Sequence, residues 1–269
     1  LSDLLAQRAG KPYDALLTER VLAPLGMKDT LVARNDGLVA GRMANGRPTP
    51  HWDVPVAYAG AGGLRSTLAD MTLLARAMLG DIPETAPPSL RRALTLSRGK
   101  LRAANPQFDV AMAWHLRKRA GGAPYVFHNG MTGGFSAMLL LDVDNRRATI
   151  TLADAAGGFD DLAFRMLDGT SPLQSPRRKV ALDLPAAQAA VGRYELQPGF
   201  VLTLALDGKR LYAQATGQGR FELLQDARGD YYALVADMLV RMQRDPDGRA
   251  TGLTLFQVGG TLPARRLAD

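Results

Sequence analysis

Along residues 109–153 polar and apolar positions alternate with the two-residue period of β-strands, broken at short turn-forming stretches. Val110, Met112, Trp114 and Leu116 alternate over 109–117 and predict a strand, with His115 on the side opposite the Trp114 set and read as structural. Tyr125-Val126-Phe127 predicts a second strand over 124–129, and Ser136-Ala137-Met138-Leu139-Leu140-Leu141 predicts the strand that returns over 135–143. A fourth, 147–153, follows an Asp144-Asn145 turn. Short connections make these antiparallel neighbours, and a helix from about Phe159 to Leu167 would cover the sheet.

The first hundred residues carry helical periodicity instead. Leu1, Leu4, Leu5 and Arg8 belong to a helix stopped at Gly10, and Pro12 opens another that turns Leu16, Leu17 and Val21 inward. Residues 31–60, rich in Gly, Pro and Asn, predict a long irregular excursion; within it His51-Trp52 either pins the loop or lines a cleft. Thr67 caps a helix with Asp70 in its first turn; that helix is expected to bury Leu68, Met71, Leu74, Ala75 and Met78 and to end at Gly80. Residues 81–107 mix loop with a short helix near Ser89 to Leu96.

Beyond residue 168 the pattern changes. A connector rich in Pro, Ser and Arg (169–184) leads to short alternating runs split by Asp207-Gly208 and Asp247-Gly248 turns. The fold class expected is α+β, an antiparallel sheet with covering helices over 1–168, followed by an all-β module over 185–269.

Composition narrows the function classes. A chain of 269 residues with 46% hydrophobic content can bury a core, and none of its apolar runs reaches the roughly 18 residues of a membrane helix. No signal peptide is seen at the N-terminus. With no cysteine there is neither disulfide nor thiolate chemistry, and three histidines argue against a histidine-rich metal site, so no metal and no cofactor are expected. The net charge of +7 suits an anionic surface, but the densest basic run, Arg177-Arg178-Lys179, has no aromatic neighbours, which argues against nucleic acid.

Candidate chemistry concentrates at His128-Asn129-Gly130-Met131-Thr132-Gly133-Gly134, where a strand delivers a histidine and then breaks into glycines. Glycine removes side chains where another group must approach the backbone, although a plain hairpin with a glycine-rich turn needs no function. Ser97-Arg98-Gly99-Lys100 fits Ser-x-x-Lys literally, yet it lies in a polar stretch containing Gly99 and is read as chance. Gly134-Phe135-Ser136-Ala137-Met138 lacks the second glycine of a nucleophile elbow.

His128-Asn129-Gly130 with Met131-Thr132-Gly133-Gly134-Phe135 resembles the His-x-Gly form of the third motif of the serine β-lactamase and penicillin-binding-protein superfamily, in its class C-like branch. Val21-Leu22-Ala23-Pro24-Leu25-Gly26-Met27 with Thr30, and Ala61-Gly62-Gly63-Leu64-Arg65-Ser66-Thr67 with Asp70, extend the resemblance over residues 1–168. Val191-Gly192-Arg193-Tyr194 and Gly252-Leu253-Thr254-Leu255 resemble the small lipocalin-like β module often appended to that branch.

The resemblance implies a serine hydrolase acting by acyl transfer on an amide, ester or β-lactam substrate, without cofactor or metal. It assigns His128 to the substrate carboxylate or the proton relay and the Met131 backbone N–H to the oxyanion, and puts Asn129, Gly130, Thr132 and Gly133 against the substrate. The family's Ser-x-x-Lys and Tyr-x-Asn would precede Leu1, so this chain alone is expected to be inactive, and an N-terminal segment or a partner chain would complete the fold. A periplasmic or secreted location is implied as well. The alternatives are a noncatalytic peptide- or cell-wall-binding protein that keeps the cleft, or a β module that is itself the binding part.

Overall fold

The computed structural model describes residues 1–32, 37–43, 46–157, 159–173, 177, 179–234, 238–257 and 260–268, and the chain divides into two compact units at Leu173/Gln174. In the first unit, α1 (Ser2–Ala9) ends on Gly10 in the left-handed conformation. The helical segments α2 (Tyr13–Leu17), Thr18–Leu22 and α3 (Ala23–Leu25) then run on to a second left-handed glycine, Gly26. β1 (Leu31–Val32) pairs with β2 (Leu64–Arg65) across the long excursion.

Thr67 caps α4 (Leu68–Met78) by accepting from the Asp70 N–H. Asp70 is not a solvated first-turn carboxylate: it is buried and receives the Asp29 N–H and the Thr30 hydroxyl, which ties the turn after α3 to α4. With Asp70 turned inward, Leu68 is left exposed, contrary to the pattern-based expectation, and Ala75 and Met78 carry the buried stripe. α5 (Pro88–Ser97) packs Leu90 against Leu22, Leu25 and Met27.

β3 (Arg102–Ala103), β4 (Phe108–Val110), β5 (His115–Arg117), β6 (Tyr125–Thr132), β7 (Phe135–Asp142) and β8 (Arg147–Ala153) form one antiparallel sheet in that order. The single strand expected over 109–117 is in fact two strands of a hairpin. Ala111 N–H bonds to the Trp114 carbonyl, Ala113 takes φ 62, and Met112 stands exposed at the tip. A period of two continues through a tight turn when the turn residues are themselves apolar, so alternation alone did not reveal the break.

Both faces of the sheet are covered. Leu139, Leu141 and Val126 meet α4, whereas Met138, Leu140, Tyr125 and Phe127 meet α6 (Asp160–Asp168) through Ala163, Phe164 and Leu167. Consecutive residues of β7 thus feed opposite cores, which explains its unbroken apolar run.

Where β7 ends, Asp142 is fully buried and held by Arg119, Asn145 and Arg147. Burial pushes its carboxyl up, but the hydrogen bonds from Asn145 and Arg119, joined by Arg147, outweigh that and bring the pKa down from 3.8 to about 2. This stabilisation is present above pH 3.8 and is lost as the pH falls through about 2. Asp142→Asn is therefore expected to destabilise the unit by about 2 kcal/mol near neutral pH and to flatten its acid limb, as read by urea unfolding against pH.

In the second unit β9 (Lys179–Val180) pairs with β13, so the later part of the segment read as a connector belongs to the β unit; residues 174–176 and 178 lie outside the described residues. α7 (Leu184–Ala190) follows, capped by Asp183. β10 (Gly192–Gln197), β11 (Phe200–Asp207), β12 (Arg210–Ala215), β13 (Phe221–Asp226), β14 (Tyr231–Ala233), β15 (Met238–Arg244), β16 (Ala250–Gln257) and β17 (Gly260–Arg266) each pair with the next.

β17 returns to β10 and closes an eight-stranded up-and-down barrel. Its interior is packed with Tyr194, Leu204, Leu211, Tyr231, Val240 and Leu253, and Ala187 and Ala190 of α7 join that core. Arg244 donates to the Ala186 carbonyl of α7, and Arg266 donates to the Ala189 carbonyl in its last turn, where a cation is favoured.

Candidate active site

β5 accompanies β6 only as far as the pair His115↔Phe127, while β7 follows β6 through Thr132↔Phe135. From His128 onward the outer side of β6 has no ladder partner among the described residues. The direction of its peptide groups follows from the Ala111–Trp114 hydrogen bond, because hydrogen-bonded and non-bonded pairs alternate along an antiparallel ladder. Val110↔His115 is then a non-bonded pair across β4 and β5, so His115 bonds Phe127 instead. Stepping by two along β6, Asn129 and Met131 turn their N–H and C=O groups to the open edge.

Side chains alternate in the same register. His128 lies opposite Leu139, which belongs to the α4 core, so His128, Gly130 and Thr132 share the α4 face. His128 is exposed and makes no side-chain hydrogen bond or ion pair among the described residues. A Cβ added at Gly130 would meet nothing within 4 Å, so that position is open to an approaching chain.

Asn129 lies on the other face, where its amide donates to Asp160 at the start of α6. Its side chain thus ties the sheet to the helix. At Gly133 the absence of a side chain has a packing consequence. A Cβ there would lie 2.5 Å from Trp52 Cδ1 and 2.6 Å from the Pro50 carbonyl, so the missing side chain admits the excursion loop.

That loop is strapped over the tip of the β6–β7 hairpin. Arg42 N–H donates to the Gly134 carbonyl, Ala156 N–H to the Arg42 carbonyl, and the His51 ring lies 5.5 Å from that of Phe135. His51 Nε2 is also 3.0 Å from the Val39 carbonyl oxygen. His51 is thus the pin, while Trp52 packs on Gly133 and remains 56% exposed beside the open edge.

His115, which the sequence assigned to a structural role, sits with its ring 5.6 Å from that of His128 and 5.2 Å from that of Phe127. Burial lowers its pKa, and a positive charge on His128 lowers it further. The short β5–β6 connection pointed to neighbouring strands, but nothing local in the sequence told their register.

The accidental Ser-x-x-Lys is dismantled by its contacts. Ser97 Oγ donates to the Leu94 carbonyl, and Lys100 Nζ is 2.7 Å from Asp109 Oδ2. Among the described residues no group of three or more His, Asp or Glu is placed to hold a metal ion, and no helix is long and apolar enough to cross a membrane.

Comparison with known proteins gives the family of each unit. Residues 177–265 match a domain of unknown function (DUF3471). Penicillin-binding protein 4* of Bacillus subtilis (strain 168) is 24% identical over 220 residues, covering 77% of this chain and 47% of that protein. The D-alanyl-D-alanine-carboxypeptidase/endopeptidase AmpH of Escherichia coli (strain K12) is 38% identical over 71 residues, 26% of this chain and 18% of that one. The chain thus spans less than half the length of these curated relatives. A class C beta-lactamase structure superposes with a TM-score of 0.54 at 16% identity, covering 63% of this chain and 54% of the other. Residues 1–167 match the family described as Beta-lactamase, and on that extent the chain belongs to the beta-lactamase and penicillin-binding-protein superfamily, with a β-barrel appended.

Proposed function

We propose that the intact protein is a serine hydrolase that transfers an acyl group from an amide, ester or β-lactam to water. The observation that carries this reading is the open outer edge of β6 from His128 to Thr132, with the Met131 N–H directed along it and Gly130 leaving it unobstructed. An extended substrate would lie antiparallel to that edge as an added strand. In this arrangement Met131 N–H donates to the developing oxyanion, and His128 Nδ1 or Nε2 meets the substrate carboxylate or the proton-relay hydroxyl.

The attacking hydroxyl would come from an upstream Ser-x-x-Lys, with a Tyr-x-Asn tyrosine managing its proton. Two features support a completing segment or partner chain. β8 has no strand on its outer side among the described residues, and Leu4, Leu5, Val56 and Tyr58 are exposed. A cell-wall type of substrate would place the protein outside the cytoplasm.

Histidine in place of a permanently charged lysine weakens carboxylate attraction at neutral pH, which favours a peptidase or esterase over a dedicated β-lactamase. The name of the Escherichia coli relative, a D-alanyl-D-alanine-carboxypeptidase/endopeptidase, favours a D-peptide. The test is turnover by the protein carrying its upstream sequence, on a D-alanyl-D-alanine peptide, a short-chain p-nitrophenyl ester and a penicillin. Peptide or ester hydrolysis at least about tenfold above penicillin hydrolysis in kcat/KM is expected. Binding of all three without turnover would point to a noncatalytic cleft.

A further inference from the structure

We propose that His115 is a positioning residue for His128, the outer member of an aromatic relay that runs from the α6 core to the open edge of β6. This rests on the reading of His128 as the substrate-facing group. The relay is continuous: Phe164 on α6 meets Phe127 edge-on at 5.5 Å, Phe127 meets His115 at 5.2 Å, and His115 meets His128 at 5.6 Å with the rings tilted by 34°.

Phe127 is buried and also packs on Phe108, so its ring has little freedom. His115 is half-buried against it, whereas His128 is exposed and has no hydrogen bond or ion pair among the described residues. The His115 ring is therefore a side-chain contact that restricts His128. An exposed imidazole held by one ring face keeps both nitrogens available, as a group that exchanges a proton or binds a carboxylate requires.

Protonation sets the limits of the device. The charged groups around the relay are otherwise engaged: Asp109 on β4 with Lys100 and Lys118, Arg117 on β5 over the Phe164 ring, and Asp160 on α6 with Asn129. His128 is the ionisable group that acts on His115, and a proton on one ring opposes a proton on the other. Burial, and then charge on the neighbouring His128 ring, hold the His115 pKa below its ordinary value.

The experiment uses the protein carrying its upstream sequence, labelled with ¹³C in histidine rings. In His128→Gln the NMR titration midpoint of His115 is expected to rise, because the opposing charge is gone; an unchanged midpoint would overturn the pairing. In His115→Ala the His128 ring carbons should gain mobility, and kcat should fall by about tenfold with KM within about twofold. His115→Phe should restore the order of His128 and most of kcat. Equal order of the His128 ring in wild type and His115→Ala would overturn the proposal. If the wild type turns over no acyl substrate, the hydrolase reading falls, and the ring-order and titration measurements still decide the role of His115.

Discussion

Replacing His128 by alanine in the protein carrying its upstream sequence is expected to lower turnover by about 10²-fold or more, with folding unchanged. The side chain is exposed and unbonded, so its loss removes no buried contact. What disappears is a group that meets the substrate on the α4 face of β6, next to the open position at Gly130. Asn129→Ala, by contrast, cuts the tie to Asp160 and should act mainly on stability. Circular dichroism with steady-state kinetics separates the two. Full activity in His128→Ala would leave the strand as a plain hairpin.

The second large effect concerns the glycines, which differ from one another in purpose. Gly134 takes φ 78, and a Cβ there would sit 2.5 Å from Arg42 N, from Gly41 C and from Thr49 Cγ2. Gly134→Val combines left-handed strain with a clash against backbone, and together these are expected to cost about 3 kcal/mol. The strap formed by residues 41–43 and 46–52 would lift, and Trp52, which lies on the neighbouring Gly133, would report it by fluorescence in a thermal unfolding scan. At Gly130 the added methyl meets open space, so Gly130→Ala should keep the melting temperature and lose activity instead. Equal melting temperatures for Gly134→Val and wild type would show that the strap does not bear on the hairpin.

These glycines also show how far the sequence could be read. A break from Tyr125-Val126-Phe127 into glycines announced a hairpin and a place of close approach, and β7 and β8 lie where alternation put them, while β6 runs past the expected 129 to Thr132. Which partner approaches was not written there. For Gly133 and Gly134 it is a loop some eighty residues earlier, for Gly130 it is open space, and composition is identical in the three cases. The same limit applies to Asn129 and His115. Period two tells which side a residue takes, but the tie to Asp160 and the ring contact with His128 depend on register and packing between segments far apart in the chain. Local signals with local causes were legible: the Thr67 cap, Gly10 as a helix end, and the Asp207-Gly208 turn of the barrel. Asp70 was seen as a first-turn carboxylate, yet its burial under Asp29 and Thr30 comes from a turn forty residues upstream.

The most direct measurement is intact-protein mass spectrometry after incubation with a penicillin and with a fluorophosphonate. The protein carrying its upstream sequence is expected to gain one covalent adduct on a serine that precedes Leu1. The 269-residue chain alone is expected to gain none, because Ser97, its one match to Ser-x-x-Lys, donates to the Leu94 carbonyl while Lys100 is engaged by Asp109. A stoichiometric adduct on any serine within residues 1–269, or the lack of any adduct together with the lack of turnover in the longer protein, would contradict acyl transfer at the open edge of β6.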